Sequence, residues 1–219
     1  MTADRAARTR DAIVAAALEL FRENGFERTT MRAVAERAGV SVGNAYYYFS
    51  SKDELVQGFY DQLVAEHRAV ALPAIAGSAD FADRLARTLH AWITVAEPYR
   101  DFAGRFFAMA AQPDNPLSPF SAQSSPAREE AVDLYRQVLR GSAVRPEPGL
   151  AEALPELLWL YHLGVVLFWV HDRSPDNART RLLVNRTVPM IDRLVRFSRL
   201  PVLRPLARQT ADLVGVLRG

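Results

Sequence analysis

The chain contains no cysteine. That one absence removes a disulfide framework, a thiolate zinc site and a thiol nucleophile. Lysine is nearly missing as well: Lys52 is the sole lysine, and every other basic side chain apart from histidine is an arginine. Long apolar runs are also lacking. The longest, Leu157 to Val170, contains His162 and falls short of the roughly 18 to 20 residues that cross a bilayer. The N-terminal stretch is interrupted by Glu19, Arg22 and Glu23 and has no small-residue cleavage pattern, so it does not read as a secretory signal. A cytoplasmic protein without membrane contact is expected.

Charge of one sign is missing too. The 219 residues carry a formal net charge of +2, and residues 1–56 balance eight cations against eight acids. Any reading that involves nucleic acid must therefore rest on where charges sit, not on their sum. From Arg173 onward arginines dominate, a pattern that suits a solvated helix surface better than a second nucleic-acid contact. The histidines His67, His90, His162 and His171 are scattered, without an H-E-x-x-H or carboxylate–histidine cluster. No phosphate-binding glycine loop or nucleophile elbow occurs. No metal, no cofactor and no catalytic residue is expected.

What is present is helical periodicity almost throughout, and the fold class is all-α. Ile13, Ala16, Ala17, Leu20 and Phe21 form the stripe of an amphipathic helix, ended by Asn24-Gly25. Met31, Val34, Ala35 and Ala38 repeat it on a short second helix that Gly39 stops. Ser41 caps a third helix reaching about Tyr48. Ser51 and Glu54 have the spacing of a capping box that opens a fourth helix toward Ala71, broken by Pro73 and Gly77. Further helices are expected over Phe81–Ala96, Tyr99–Ala111, from Ser125-Pro126 to Gly141, over Leu154–Val170 and over Ala178–Phe197. A last stripe runs from Leu206 to Leu217 within residues 203–218. The Pro- and Ser-rich stretch from Gln112 to Pro126 reads as a loop long enough to be functional or mobile.

Residues 30–49 provide a support helix, a tight turn and a second helix with an apolar inner and a polar outer face, which is the requirement of a helix-turn-helix. Ala45, Phe49 and Val40 face inward against Leu20, Phe21 and Val34. Gly43, Asn44, Tyr47 and Tyr48 face outward. Gly43 allows close backbone approach, Asn44 offers a paired amide to adenine or phosphate, and the tyrosine hydroxyls suit phosphates. Thr29 and Thr30 stand at the start of the support helix, where free N–H groups attract an anion, with Arg32 one turn further on. Lys52 lies on the first turn of the fourth helix. A cation there opposes the helix dipole, and a compensating phosphate would account for it.

The run TRDAIVAAALELFRENGFERTTMRAVAERAGVSVGNAYYYFSSKDEL resembles the N-terminal domain of the tetracycline-repressor (TetR) family of regulators. The likeness extends over about residues 8 to 56. Its most specific part is G-V-S-x-G-x-x-Y-x-x-F-x-x-K-x-E-L from Gly39 to Leu55, preceded by Gly25-Phe26 and Thr29-Thr30. Ala45 departs from the larger aliphatic usual in the family, and Tyr48 from the common histidine. The resemblance implies that Thr30, Ser41, Gly43, Asn44, Tyr46, Tyr47, Tyr48 and Lys52 line a surface for double-stranded operator DNA. Tyr46 has two readings, packing under the helix or contacting a phosphate.

By the same resemblance residues 1–52 form the DNA-binding domain. Residues 53–219 form a helical domain for ligand binding and dimerisation. The family's architecture implies a homodimer in which Leu154–Val170 and Ala178–Phe197 build a four-helix bundle with their partners. The all-round apolar character of the first of these agrees with that independently. Trp92, Phe106, Phe107, Met109, Tyr135, Trp159, Tyr161 and His162 are candidates for lining a cavity for a small, largely apolar effector, each with core packing as the competing reading. His162 is either an orienting hydrogen-bond group or a satisfied core histidine. The expected function is a ligand-responsive repressor. Its rivals are a regulator without a ligand, a helical enzyme with a vestigial head, and a structural dimer, which leaves the outward-facing residues unexplained.

Overall fold

The computed structural model describes residues 2–110 and 115–200, and its regular structure is helical throughout those residues. The elements are α1 (Thr2–Asn24), α2 (Met31–Arg37), α3 (Val42–Tyr48), α4 (Lys52–Ala76), α5 (Phe81–Ala96), α6 (Arg100–Ala110), α7 (Ser125–Arg140), α8 (Pro148–His171) and α9 (Ala178–Phe197). Short 3-10 turns precede α6 and α9. The all-α expectation holds. The expected helix over residues 203–218 lies outside the described residues.

The chain divides into two compact units: residues up to Leu63 with Tyr99–Ala127, and Val64–Pro98 with residues from Arg128 onward. The continuous helix α4 contributes to both. In the first unit, Ile13, Val14, Ala17 and Phe21 of α1, Val34 and Ala35 of α2, Ala45 of α3 and Leu55, Val56 and Phe59 of α4 share one buried core with Phe102. Phe102 stacks on Phe21 and meets Phe59 edge-on, bringing α6 to the same core. The described part of the Pro- and Ser-rich loop is held down on α4: Gln57 donates to the Pro116 carbonyl at 3.0 Å and Tyr60 to the Leu117 carbonyl at 3.2 Å, while Leu117 itself is buried.

In the second unit, Phe81, Leu85, Leu89, Trp92, Ile93 and Ala96 form the buried stripe of α5, which packs along α9. Arg84, on the same helix, is buried. It donates to the carbonyls of Ile75 at the end of α4 and Ser78 just beyond it, and of Gln137 and Val138 at the end of α7. One guanidinium thereby satisfies orphan carbonyls of two helix ends. Gly141 is needed beside it, because a Cβ there would collide with that guanidinium. Asp172 plays the matching part at the turn into α9, accepting from the Ser174 and Thr180 hydroxyls and backbone N–H groups. Burial alone would raise its pKa, but those four hydrogen bonds hold its carboxyl well below the usual range.

Two expected boundaries are corrected. Pro73 does not end α4, which continues beyond it to Ala76. Helix α8 begins at Pro148 and not at Leu154, because Glu147 caps it by accepting from the Leu150 N–H at 3.1 Å and Pro148 occupies the tolerant first turn. So lengthened, α8 is apolar enough by length and composition to cross a bilayer. Its residues Ala153, Leu158, His162, Val165 and Trp169 are buried within the second unit.

Candidate nucleic-acid interface

The outward face of α3 is built by two caps and one buried alanine. Thr30 caps α2, its hydroxyl accepting from the Ala33 N–H at 3.2 Å, and Ser41 caps α3 by accepting from the Asn44 N–H at 3.1 Å. Gly39 sits between the helices with φ +68°, a backbone state that glycine adopts without strain. The turn between α2 and α3 is thereby fixed in direction. Ala45 and Phe49 then face the core, as the spacing predicts, together with Val40, Leu20, Phe21 and Val34.

With Ala45 buried, Ser41, Gly43, Asn44, Tyr46 and Tyr47 are exposed and Tyr48 is half-buried. Tyr47 is 82% exposed, extreme for an aromatic side chain, and its ring meets Tyr48 edge-on at 5.3 Å. Tyr46 is 51% exposed, so packing under the helix is not its main role. A Cβ at Gly43 would meet nothing, which leaves that side of the helix open to close approach. Thr30 and Arg32 are exposed beside it. The set is therefore one connected polar and aromatic surface on α2 and α3.

Two expected members behave differently. Thr29 is buried: its hydroxyl donates to the carbonyls of Leu20 at 3.2 Å and Gly25 at 2.9 Å, and its N–H goes to the Phe26 carbonyl. Both of its donors serve the α1–α2 turn, which removes Thr29 from the exposed surface. Lys52 is half-buried, donating from Nζ to the carbonyls of Phe26 at 2.7 Å and Glu27 at 3.2 Å while resting 4.5 Å above the Phe26 ring. The cation that opposes the α4 dipole is thus compensated inside the protein.

Nearby charges stiffen this surface. Arg37 of α2 grips Glu23 of α1 with two hydrogen bonds and reaches Glu19 as well. The Arg37 bond holds the Glu23 carboxyl below its ordinary pKa. Ser51 caps α4 by accepting from the Glu54 N–H at 3.2 Å. The expected capping box is shifted by one residue on its return arm, since Glu54 accepts from the N–H and hydroxyl of Ser50, both at 2.6 Å. The Ser50 hydroxyl, then its N–H, lowers the Glu54 pKa.

Of the cavity candidates, Trp92, Tyr135 and His162 come together in the second unit, and Trp159 is buried there. Tyr161 is half-buried, with its hydroxyl bonded to the Thr187 hydroxyl at 2.5 Å. Phe107 is half-buried on α6, in the first unit. The side chains of Phe106 and Met109 lie outside the described residues. Sequence reasoning passed over His67, which joins the same cluster; its place on α4, far from the other aromatics in sequence, gave no signal.

Comparisons with known proteins agree with this geometry. Residues 13–58 match the profile described as bacterial regulatory proteins, tetR family, and residues 84–213 match the one described as tetracyclin repressor-like, C-terminal domain. The HTH-type transcriptional regulator TtgR of Pseudomonas putida is 42% identical over 66 residues, covering 30% of this chain and 31% of TtgR. The HTH-type transcriptional repressor KstR2 of Mycobacterium tuberculosis is 30% identical over 142 residues, covering 60% of this chain and 66% of KstR2. The match thus spans under a third of one relative and just under two thirds of the other. A crystal structure of FadR from Bacillus subtilis in complex with stearoyl-CoA shares the fold, with a TM-score of 0.63 at 17% identity, covering 82% of this chain and 95% of that one. On the strength of profiles that together reach from residue 13 to residue 213, the chain belongs to the TetR family of bacterial regulatory proteins.

Proposed function

We propose that this protein is a cytoplasmic, ligand-responsive repressor that binds a palindromic operator as a homodimer. Residues 1–52 act as the DNA-binding domain, and residues 53–219 bind an effector and dimerise. The observation that carries the reading is the division of α3 into a buried Ala45 and an exposed Gly43, Asn44 and Tyr47. A helix this short has little reason to expose aromatic rings unless another molecule covers them. Docked in a major groove, Asn44 meets base edges or phosphate. Thr30, Arg32, Ser41, Tyr46, Tyr47 and Tyr48 meet the backbone and thymine methyls. Lys52, with two of its three N–H groups given to carbonyls, keeps one for a phosphate.

The second copy is supported by α9, where Leu182, Met190, Leu194 and Phe197 are exposed along one face. Leu167 and Phe168 of α8 are exposed as well. A self-complementary apolar face of this kind suits a two-fold interface. The effector is supported by the bound acyl-CoA of the FadR relative in fold. It acts by binding the DNA-incompetent state more tightly, which shifts the population away from DNA. No catalytic step is assigned, in keeping with relatives described as transcriptional regulators.

The test is selection of bound duplexes from random DNA by the full-length protein, followed by footprinting. An inverted repeat with half-sites about one helical turn apart, protected in the major groove, is the expected product. Recovery of no consensus would overturn the reading.

A further inference from the structure

Among the described residues of the second unit, two buried side-chain polar atoms have no hydrogen-bond partner: the Tyr135 hydroxyl and Nε2 of His162. Both belong to an aromatic cluster drawn from four helices. His162 of α8 lies edge-on to Trp92 of α5 at 4.9 Å, to His67 of α4 at 5.7 Å and to Tyr135 of α7 at 6.0 Å between ring centres. Trp169 meets Trp92 edge-on at 5.1 Å. His67 is satisfied, its Nε2–H donating to the Thr88 carbonyl at 2.9 Å. Tyr135 and His162 are not. Buried polar groups are nearly always paired, so two orphans in one aromatic cluster point to a partner that arrives from outside.

We infer that Tyr135 and His162 are the polar anchor of the effector site, and that the effector is an uncharged, mostly apolar molecule with a hydroxyl or carbonyl seated between them beside Trp92. This inference rests on the ligand-responsive reading and narrows it. A ligand hydroxyl accepts from the Tyr135 O–H while donating to an unprotonated Nε2, and a carbonyl accepts from both when Nε2 carries the hydrogen. A charged head group is disfavoured. Burial, reinforced by neighbouring His67, keeps the His162 pKa well below ordinary, and burial pushes the Tyr135 pKa up. The anchor is therefore neutral at physiological pH. The aromatic faces around it supply apolar contact, and a carboxylate buried there would lose its hydration.

The test uses the full chain without DNA and three probes of one shape: 4-propylphenol, propylbenzene and 4-propylbenzoate. Affinity is read by calorimetry, and occupancy beside Trp92 by quenching of tryptophan fluorescence. We expect the phenol to bind about tenfold tighter than propylbenzene, which is about 1.4 kcal/mol, and the benzoate to bind most weakly. Tyr135→Phe and His162→Leu should each erase the preference for the phenol over propylbenzene. Tyr135→Phe should also melt no lower than the wild type, since it removes an unpaired hydroxyl. Equal affinities for phenol and propylbenzene, tighter binding of the benzoate, no binding of any probe, or a retained preference in Tyr135→Phe would each overturn the inference. Operator titrations run in parallel separate the two readings. Phenol bound without any change in operator affinity contradicts ligand-responsive repression but leaves the anchor intact. Operator release by the benzoate alone supports repression and overturns the anchor.

Discussion

Lys52 Nζ donates to the carbonyl of Phe26 at 2.7 Å while lying 4.5 Å above the ring of the same residue. The first turn of α4 is thereby pinned to the loop that leads into the support helix α2. Lys52, proposed to meet a phosphate, also fixes the loop that precedes the exposed face of α2 and α3.

Replacing Lys52 by methionine keeps the aliphatic stem and removes the ammonium. We expect a loss of about 1 to 2 kcal/mol in stability from the unpaired carbonyls and the lost ring contact. Operator affinity should fall, and the salt dependence should flatten by about one counterion per subunit if the remaining N–H meets a phosphate. Denaturant melts and a salt titration read both. Weaker binding at an unchanged salt slope would restrict Lys52 to positioning the loop.

Thr29→Val removes the buried hydroxyl that bridges the Leu20 and Gly25 carbonyls. The expected cost is about 1 to 3 kcal/mol, because the shape is kept while carbonyls lose a donor. Thr29→Ser should be milder. Differential scanning calorimetry decides, and a valine variant as stable as wild type would contradict the assigned role.

Stability should fall on acidification between pH 6.5 and 4. Burial, with Arg68 adding to it, pulls the His67 pKa down to about 4 from its ordinary 6.5, against the opposing pull of the bond to the Thr88 carbonyl. The unfolded chain therefore binds a proton in that window while the folded chain does not. Its effect is absent above pH 6.5 and grows to about 3 kcal/mol near pH 4. His67→Gln should reduce the slope of stability against pH, and His162, shifted the same way, accounts for further dependence. Urea melts across the window test this. A slope unchanged in His67→Gln would contradict it.

Leu194 is 66% exposed on the apolar face of α9. Leu194→Glu should convert a dimer to a monomer in sedimentation velocity without loss of helix content, because the side chain has little to lose within its own subunit. A monomeric wild type would contradict the proposed interface.

The helices that sequence made plain are those where periodicity and punctuation coincide. Phe81–Ala96, with its strict apolar stripe, and Ala178–Phe197 were expected at the residues where they occur. The limits of α4 and α8 were obscured because Pro73 and Pro155 lie inside helices, where a proline in a sequence ordinarily reads as a break. On α3 the inward Ala45 and outward Tyr47 followed from spacing alone. What escaped was tertiary: no local pattern shows that the Lys52 ammonium finds carbonyls 25 and 26 residues away, or that Arg84 closes two helix ends. His67 and Tyr135 are brought to His162 by packing between helices distant in sequence, so their meeting is invisible without coordinates.

The central claim is that the exposed face of α3 reads operator DNA. It is tested most directly by fluorescence anisotropy of a labelled selected duplex against wild-type protein and Tyr47→Ala across a salt series. The account predicts tight wild-type binding that resists competitor DNA and weakens steeply with salt. It also predicts at least a roughly tenfold loss in Tyr47→Ala, the worth of one charge-assisted hydrogen bond, with an unchanged melting temperature. Weak, sequence-indifferent binding that Tyr47→Ala leaves unaltered would contradict it.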